Sequence, residues 1–143
     1  FWCYMMAKRL GYSIREQFLV LIHDFTEAYC GDVNTDLKNL LPEYRMIEKE
    51  IELAIYDYFD IAPPTDDEEF KIKVIDYTML AVEMRDITHH DYKQKIEEVK
   101  EYISPNMLKE FEVNKRAGFD EESLIHLLNL ILDDLIKKMR KGE

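Results

Sequence analysis

Apolar residues recur at spacings of three and four along most of this chain, which is the pattern of amphipathic α-helices. Three long helices are predicted in this way, over residues 42–58, 66–87 and 121–138. A fourth segment, 14–29, is more uniformly apolar and predicts a central helix. The positions that define the core-facing sides are, in chain order, Leu19, Leu21, Ile22, Tyr44, Ile47, Ile51, Ala54, Ile55, Phe70, Val74, Tyr77, Leu80, Ala81, Leu124, Leu127, Leu128, Ile131, Leu132 and Leu135.

Local signals mark where these helices begin and end. Residues 1–10 have the character of the last part of a buried helix. Ser13 and Glu16 have the spacing of a capping box, which starts the second helix. Pro42 suits a first helical position, and the Pro-rich stretch 61–65 separates two helices.

The composition supports an all-α fold. With 143 residues the chain has the length of one domain, and it contains only four Gly and four Pro. Residues 88–117 are the least regular part, with helical pieces predicted near 92–102 and after Pro105. We therefore predict a compact multi-helix bundle that forms a single domain over residues 1–143.

Charge and cysteine content exclude several classes of function. The formal net charge of −11 argues against binding of long nucleic acid, which needs a basic surface. The chain has no apolar run of roughly 18 residues and no signal-peptide pattern, so no membrane association is predicted. Cys3 and Cys30 form no disulfide framework and suit reduced thiols in a cytoplasmic protein.

The strongest candidate for chemistry is the stretch from His23 to Asp32. His23 and Asp24 are adjacent and could bind one divalent metal ion, and Glu27 follows one helical turn later. Gly31 is predicted to end the helix, which places Asp32 at the mouth of the pocket that the pair faces. The alternative for the His-Asp pair alone is a capping or salt-bridging role.

Asp76 is a second candidate, because it lies in an otherwise apolar segment, 73–80. A buried carboxylate without compensation costs several kcal/mol, so this one is expected to be paired, protonated or bound to metal. A buried Asp satisfied by a tyrosine hydroxyl or by a helix end is the alternative.

Together these features resemble the HD-domain superfamily of metal-dependent phosphohydrolases. The resemblance is closest to the branch of bacterial 5′-deoxynucleotidases and their phage relatives. Segments 40–48 and 80–86 also look like the phage members, and the similarity runs from Phe1 to about Ile87. The residues that match the motifs of this branch are His23, Asp24, Glu27, Gly31, Asp32, Lys38 and Asp76.

The resemblance implies a role for each matching residue. His23, Asp24 and Asp76 would bind a divalent metal ion, which could be Mn, Co, Mg, Zn or Fe. Glu27 would move protons near the attacking water, and Asp32 would orient that water or the substrate. The substrate would contact the turn formed by Asp32, Val33, Asn34 and Thr35, together with Lys38.

The first metal ligand of this branch is a His about two dozen residues before the His-Asp pair. That distance falls just upstream of Phe1, so we expect that the chain lacks the preceding helix and its His. The family also implies a homodimer, which the surplus of aromatic residues supports.

The sequence thus predicts a nucleotide phosphohydrolase. The first candidate is a 5′-deoxynucleotidase, which releases phosphate from a deoxynucleoside monophosphate. The alternatives are a deoxynucleoside triphosphate triphosphohydrolase that acts on dATP, and a non-catalytic HD-fold module that binds a nucleotide or a protein.

Overall fold

A computed structural model of the chain describes residues 1–88, 97, 99–112 and 120–142. Every regular element among these residues is a helix, which confirms the predicted all-α class. The α-helices are α1 (Trp2–Arg9), α2 (Ile14–Ile22), α3 (Glu27–Cys30), α4 (Thr35–Asn39), α5 (Pro42–Tyr58), α6 (Asp66–Glu83), α7 (Pro105–Glu110) and α8 (Glu121–Lys141). A π-helical turn, Met84–Thr88, follows α6, and Lys100–Tyr102 form a 3₁₀-helix.

The chain divides into two compact units. The first unit combines Phe1–Leu21 with the chain from Asp66 onward, and the second unit is Ile22–Thr65. None of the helices in the described ranges is both long enough and apolar enough to cross a membrane.

The core of the first unit is built where α6 packs against α1 and α7. Burial of these apolar side chains is the main contribution to the stability of this unit. The cluster consists of Met6, Ala7, Val20, Ile75, Met79, Val82, Met107 and Phe111, with the partly buried Trp2, Cys3, Tyr12, Ile72 and Leu108 packed against it.

The predicted capping box is present at the start of α2. The Ser13 amide donates to Glu16 Oε2 at 2.7 Å, and the Glu16 amide donates to Ser13 Oγ at 3.2 Å. Glu16 Oε1 also accepts from Lys71 Nζ at 2.8 Å, and Arg15 Nε donates to Glu68 Oε1 at 2.8 Å. These two ion pairs join the first turns of α2 to α6.

The buried side of α6 differs from the predicted one. Ile75, Met79 and Val82 are buried, whereas Phe70 is 49% exposed. Phe70 and Tyr77 instead pack against the ring of Tyr102, at centroid distances of 5.7 and 5.3 Å. Apolar residues occur on both sides of this helix, so its periodicity alone did not select the side that meets α1. Of the predicted core positions on α6, only Ala81 is fully buried.

Thr78 is the buried polar residue of α6. Its side chain is fully inaccessible, and its Oγ1 accepts a hydrogen bond from the Ser104 amide at 2.9 Å. The hydroxyl donates to the Tyr102 carbonyl at 3.5 Å. One side chain thereby fixes the segment that leads into α7.

The end of α2 is a correction to the predicted helix 14–29. The helix ends at Ile22, residues 23–26 form turns, and the short α3 follows. Leu19, Leu21 and Ile22 are buried as predicted. The turn places the His-Asp pair directly after an apolar helix, where its side chains do not follow helical spacing.

Helices α5 and α8 form where they were predicted, but their apolar sides are only partly covered. Helix α5 has the predicted bounds, and α8 extends three residues further than expected. On α5 only Tyr56 is buried, and Ile47 is 55% exposed. On α8 only Leu135 is buried. The predicted helical piece near 92–102 lies mostly outside the described residues.

Candidate functional site

The candidate site is built on the turn that follows α2. The Phe25 amide donates to the Ile22 carbonyl at 2.9 Å, and the Glu27 amide donates to the Asp24 carbonyl at 3.0 Å. Helix α3 then ends at Gly31, whose φ of 78° favours glycine. Positions 23 to 32 all belong to the second unit, and the turn and the short α3 keep them close along the chain.

The side chains of His23 and Asp24 converge in this turn. His23 Nε2 lies 3.1 Å from Asp24 Oδ2, and the two side chains are 14% and 59% exposed. An imidazole nitrogen and a carboxylate oxygen are suitable ligands for a divalent transition metal ion. The same geometry also suits an ion pair when the imidazole is protonated.

Glu27 lies within electrostatic range of four other charged side chains. Burial raises the pKa of its carboxyl group, and the negative charges of Asp24 and Asp32 raise it further. Lys38 and His23 act in the opposite direction. Four of the side chains that the sequence analysis selected therefore lie within electrostatic range of Glu27, and the pKa of Glu27 is raised, which is a property of many general bases.

Lys38 is held by α5. Its Nζ donates to Glu48 Oε1 at 2.5 Å and lies 5.8 Å from the centre of the Tyr44 ring. Burial alone would lower the pKa of Lys38, but the hydrogen bond and charge of Glu48 outweigh it, so the pKa is raised. Lys38 is thus a permanent cation beside Glu27.

The segment predicted to contact substrate connects α3 to α4. Asn34 caps α4, because its Oδ1 accepts from the Asp36 amide at 2.8 Å. Asp32 and Thr35 are exposed, and Val33 is half-buried. The Tyr44 hydroxyl donates to the Gly31 carbonyl at 3.0 Å, which anchors the start of this segment to α5.

A pocket of about 380 Å³ opens beside His23. Sequence reasoning missed most of its lining, although Arg45 and Lys49 are four residues apart on α5 and therefore share a face of that helix. The lining residues are His23, Thr26, Lys38, Arg45, Glu48, Lys49 and Glu52.

Asp76 lies in the first unit. It is half-buried in the middle of α6, and its role as a metal ligand stays a prediction. Within the described part of the chain, no group of three or more His, Cys, Asp and Glu side chains has the arrangement of a metal site.

Part of the chain is similar to a known bacterial protein. Over 70 residues the chain is 40% identical to the uncharacterized protein YfdR of Escherichia coli strain K12. The matched segment is 49% of this chain, and the chain spans only 38% of that relative. No protein-family model matches the chain. No solved structure matches it either.

Proposed function

We propose that this protein is a metal-dependent phosphohydrolase of the HD-domain type that acts on nucleotides, and that it releases phosphate from 5′-deoxynucleoside monophosphates. The observation that carries the proposal is the cluster formed by His23, Asp24, Glu27, Asp32 and Lys38. It combines two potential metal ligands, a carboxyl group with a raised pKa and a cation that suits a phosphoryl group.

The residues of the turn fit a divalent ion. His23 and Asp24 offer one nitrogen and one oxygen donor that already converge within 3.1 Å. When bound, a divalent ion supplies Lewis-acid polarisation of the phosphoryl group and lowers the pKa of water.

The protein's own side chains would move the protons. Glu27 accepts a proton from the attacking water, whose oxygen forms a bond to phosphorus. The bond between phosphorus and the 5′-oxygen of the nucleoside breaks, and this oxygen takes a proton from solvent. Asp32 orients the water or the sugar, and Lys38 offsets negative charge on the phosphoryl oxygens.

The cations of the pocket favour a second candidate reaction. A deoxynucleoside triphosphate triphosphohydrolase attacks the α-phosphate and releases tripolyphosphate. Arg45 and Lys49 line the pocket beside His23 and add positive charge beyond Lys38.

The test is an assay of the full-length protein with Mn²⁺ or Co²⁺. Phosphate release from a panel of deoxynucleoside monophosphates and tripolyphosphate release from the corresponding triphosphates are measured side by side. We expect phosphate release from the monophosphates or, for the second candidate reaction, tripolyphosphate release from the triphosphates. We expect Asp24→Asn to reduce the observed release to background. Asp57→Asn, an exposed carboxylate of the same unit, is the matched control and should keep full activity.

Absence of both products would contradict the proposed phosphohydrolase activity. The remaining candidate would then be the non-catalytic HD-fold module that binds a nucleotide or a protein. Full activity of the Asp24→Asn variant would remove the metal-ligand role of the His-Asp pair.

A further inference from the structure

The distribution of positive charge in the second unit is uneven. Ile22–Thr65 contains only three Lys or Arg residues, Lys38, Arg45 and Lys49, although it is rich in Asp and Glu. All three line the pocket beside His23. Two carboxylates, Glu48 and Glu52, share this pocket, so among its lining residues one positive charge is in excess when His23 is neutral. The carboxylates of Asp24 and Glu27 lie near His23 and Lys38 but do not line the pocket.

Within the pocket the carboxylates are held by partners. Glu48 forms the hydrogen-bonded ion pair with Lys38, whose side chain is 20% exposed. Glu52 Oε1 accepts from the hydroxyl of the buried Tyr56 at 3.0 Å. Arg45 donates to the neutral side-chain oxygen of Asn39, so this bond leaves its full positive charge uncompensated.

Lys49 can exchange its partner at little cost. Its Nζ lies 2.5 Å from Glu52 Oε2, but the two side chains are 53% and 30% exposed. Exposed ion pairs of this kind contribute little to stability. Arg45 lies one helical turn before Lys49 on the same face of α5, so Lys49 can turn toward an anion that Arg45 binds.

We infer that Arg45 and Lys49 form a polyphosphate-binding subsite, which binds the phosphates beyond the one that lies next to His23. The inference rests on the second candidate reaction of the proposed function, the triphosphohydrolase, and specifies its substrate class as nucleotides with more than one phosphate. A guanidinium group and an ammonium group on one face of a helix can bind successive phosphates of a flexible chain. The pocket volume of about 380 Å³ accommodates a ligand of this size.

The test measures equilibrium binding without hydrolysis. Inorganic tripolyphosphate and inorganic phosphate are titrated into the metal-free protein at pH 7.5 and followed by calorimetry. We expect tripolyphosphate to bind more tightly than phosphate, and the double variant Arg45→Ala, Lys49→Ala to lose about tenfold or more in affinity for it. The charge-preserving double variant Arg45→Lys, Lys49→Arg should retain most of the affinity.

The matched control removes the same charge elsewhere. Lys109→Ala with Lys137→Ala takes two exposed cations from the first unit and should leave tripolyphosphate affinity unchanged. Equal loss in both double variants would show a non-specific charge effect and overturn the subsite. No measurable binding of tripolyphosphate, or equal binding by the Arg45→Ala, Lys49→Ala variant and the wild type, would overturn it as well.

The binding measurement does not depend on catalysis. Tripolyphosphate binding that requires Arg45 and Lys49, in a protein that hydrolyses no nucleotide, would preserve the subsite and refute the phosphohydrolase. Hydrolysis of monophosphates without tripolyphosphate binding would support the phosphohydrolase and refute the subsite.

Discussion

Glu27 combines a raised pKa with a central position among the charged residues of the turn. Because burial and the charges of Asp24 and Asp32 disfavour its ionised form, the folded-state pKa lies above the unfolded value. The stability that Glu27 contributes is therefore complete below the unfolded pKa and is lost as the pH rises through the folded pKa. At neutral pH the ionised carboxylate destabilises the protein while it remains available as a base.

Glu27→Gln should separate these two effects. We expect kcat to fall by about a hundredfold or more, because the general base is removed. We also expect the melting temperature at pH 7 to rise by a few degrees, because a neutral side chain avoids the unfavourable charge. Thermal unfolding and steady-state kinetics measure the two changes. A lower melting temperature together with full activity would contradict both parts.

Thr78 is a residue whose contribution is purely structural. In Thr78→Val the volume is kept but the Ser104 amide loses its acceptor at 2.9 Å. We expect the free energy of unfolding to fall by about 1–3 kcal/mol. Thr78→Ser keeps the hydroxyl and removes one methyl group, so it should lose about 0.8 kcal/mol.

Urea denaturation of these two variants measures the difference. Hydrogen exchange of the Ser104 amide should also accelerate in Thr78→Val and not in Thr78→Ser. A valine variant as stable as the wild type would show that this hydrogen bond contributes nothing net.

At the scale of elements, the first turn of α2 depends on the ionised state of Glu16. The hydrogen bond with Lys71 is the main cause of its lowered pKa, and Ser13 adds to the effect. Since the folded-state pKa lies below the unfolded value, the stabilisation is present above the unfolded pKa and is lost as the pH falls through the folded pKa.

Glu16→Gln keeps an acceptor for the Ser13 amide but loses the charge that faces Lys71. We expect a loss of about 1 kcal/mol at pH 7, which shrinks toward zero in acid. Chemical denaturation at a series of pH values measures this trend, with Glu50→Gln on α5 as the exposed control. A loss that stays constant with pH would assign the effect to the cap alone.

Tyr44 links α5 to the loop that follows α3. In Tyr44→Phe the Gly31 carbonyl loses its hydrogen bond of 3.0 Å, which frees the start of the predicted substrate segment. On the proposed function we expect KM to rise several-fold, with kcat little changed and stability altered by less than about 0.5 kcal/mol. Tyr58→Phe, whose side chain is 82% exposed, is the control. A KM equal to that of the wild type would show that this anchor does not affect binding.

The spacing of apolar residues predicted the positions of most helices. It did not predict which side of a helix is buried where apolar residues occur on both sides. Helix α5 has its predicted bounds because Pro42 starts it and a strong repeat continues it. The side of α6 that is buried could not be predicted, since Phe70 and Val74 offered an apolar stripe as good as that of Ile75 and Met79. Long-range packing decided between them.

The part of the candidate site that is close along the chain was predictable from the sequence, and the part that depends on long-range packing was not. His23, Asp24 and Glu27 were selected from short-range spacing, and the turn brings them together although it is not the predicted helix. Arg45 and Lys49 were missed because their approach to His23 depends on how the loop and α5 pack. The role of Asp76 and the homodimer stay predictions.

At the scale of the whole molecule, the two units differ in what they contribute. The first contains the main apolar cluster and the ion pairs that join α2 to α6. The second contains the charged turn and its pocket. Variants of this apolar cluster should thus change stability without acting directly on the turn chemistry.

The segregation of charge in the second unit also has a consequence for selectivity among phosphate-bearing molecules. Because all three of its Lys and Arg residues line one pocket, the charged residues elsewhere in this unit, such as Asp32, Glu43, Glu50 and Asp57, are acidic. A free nucleotide can present all of its phosphates to the pocket. A DNA strand would extend beyond the pocket over a unit whose other charged side chains are acidic, so on the proposed function we expect a free nucleotide to be preferred over the phosphorylated end of a strand.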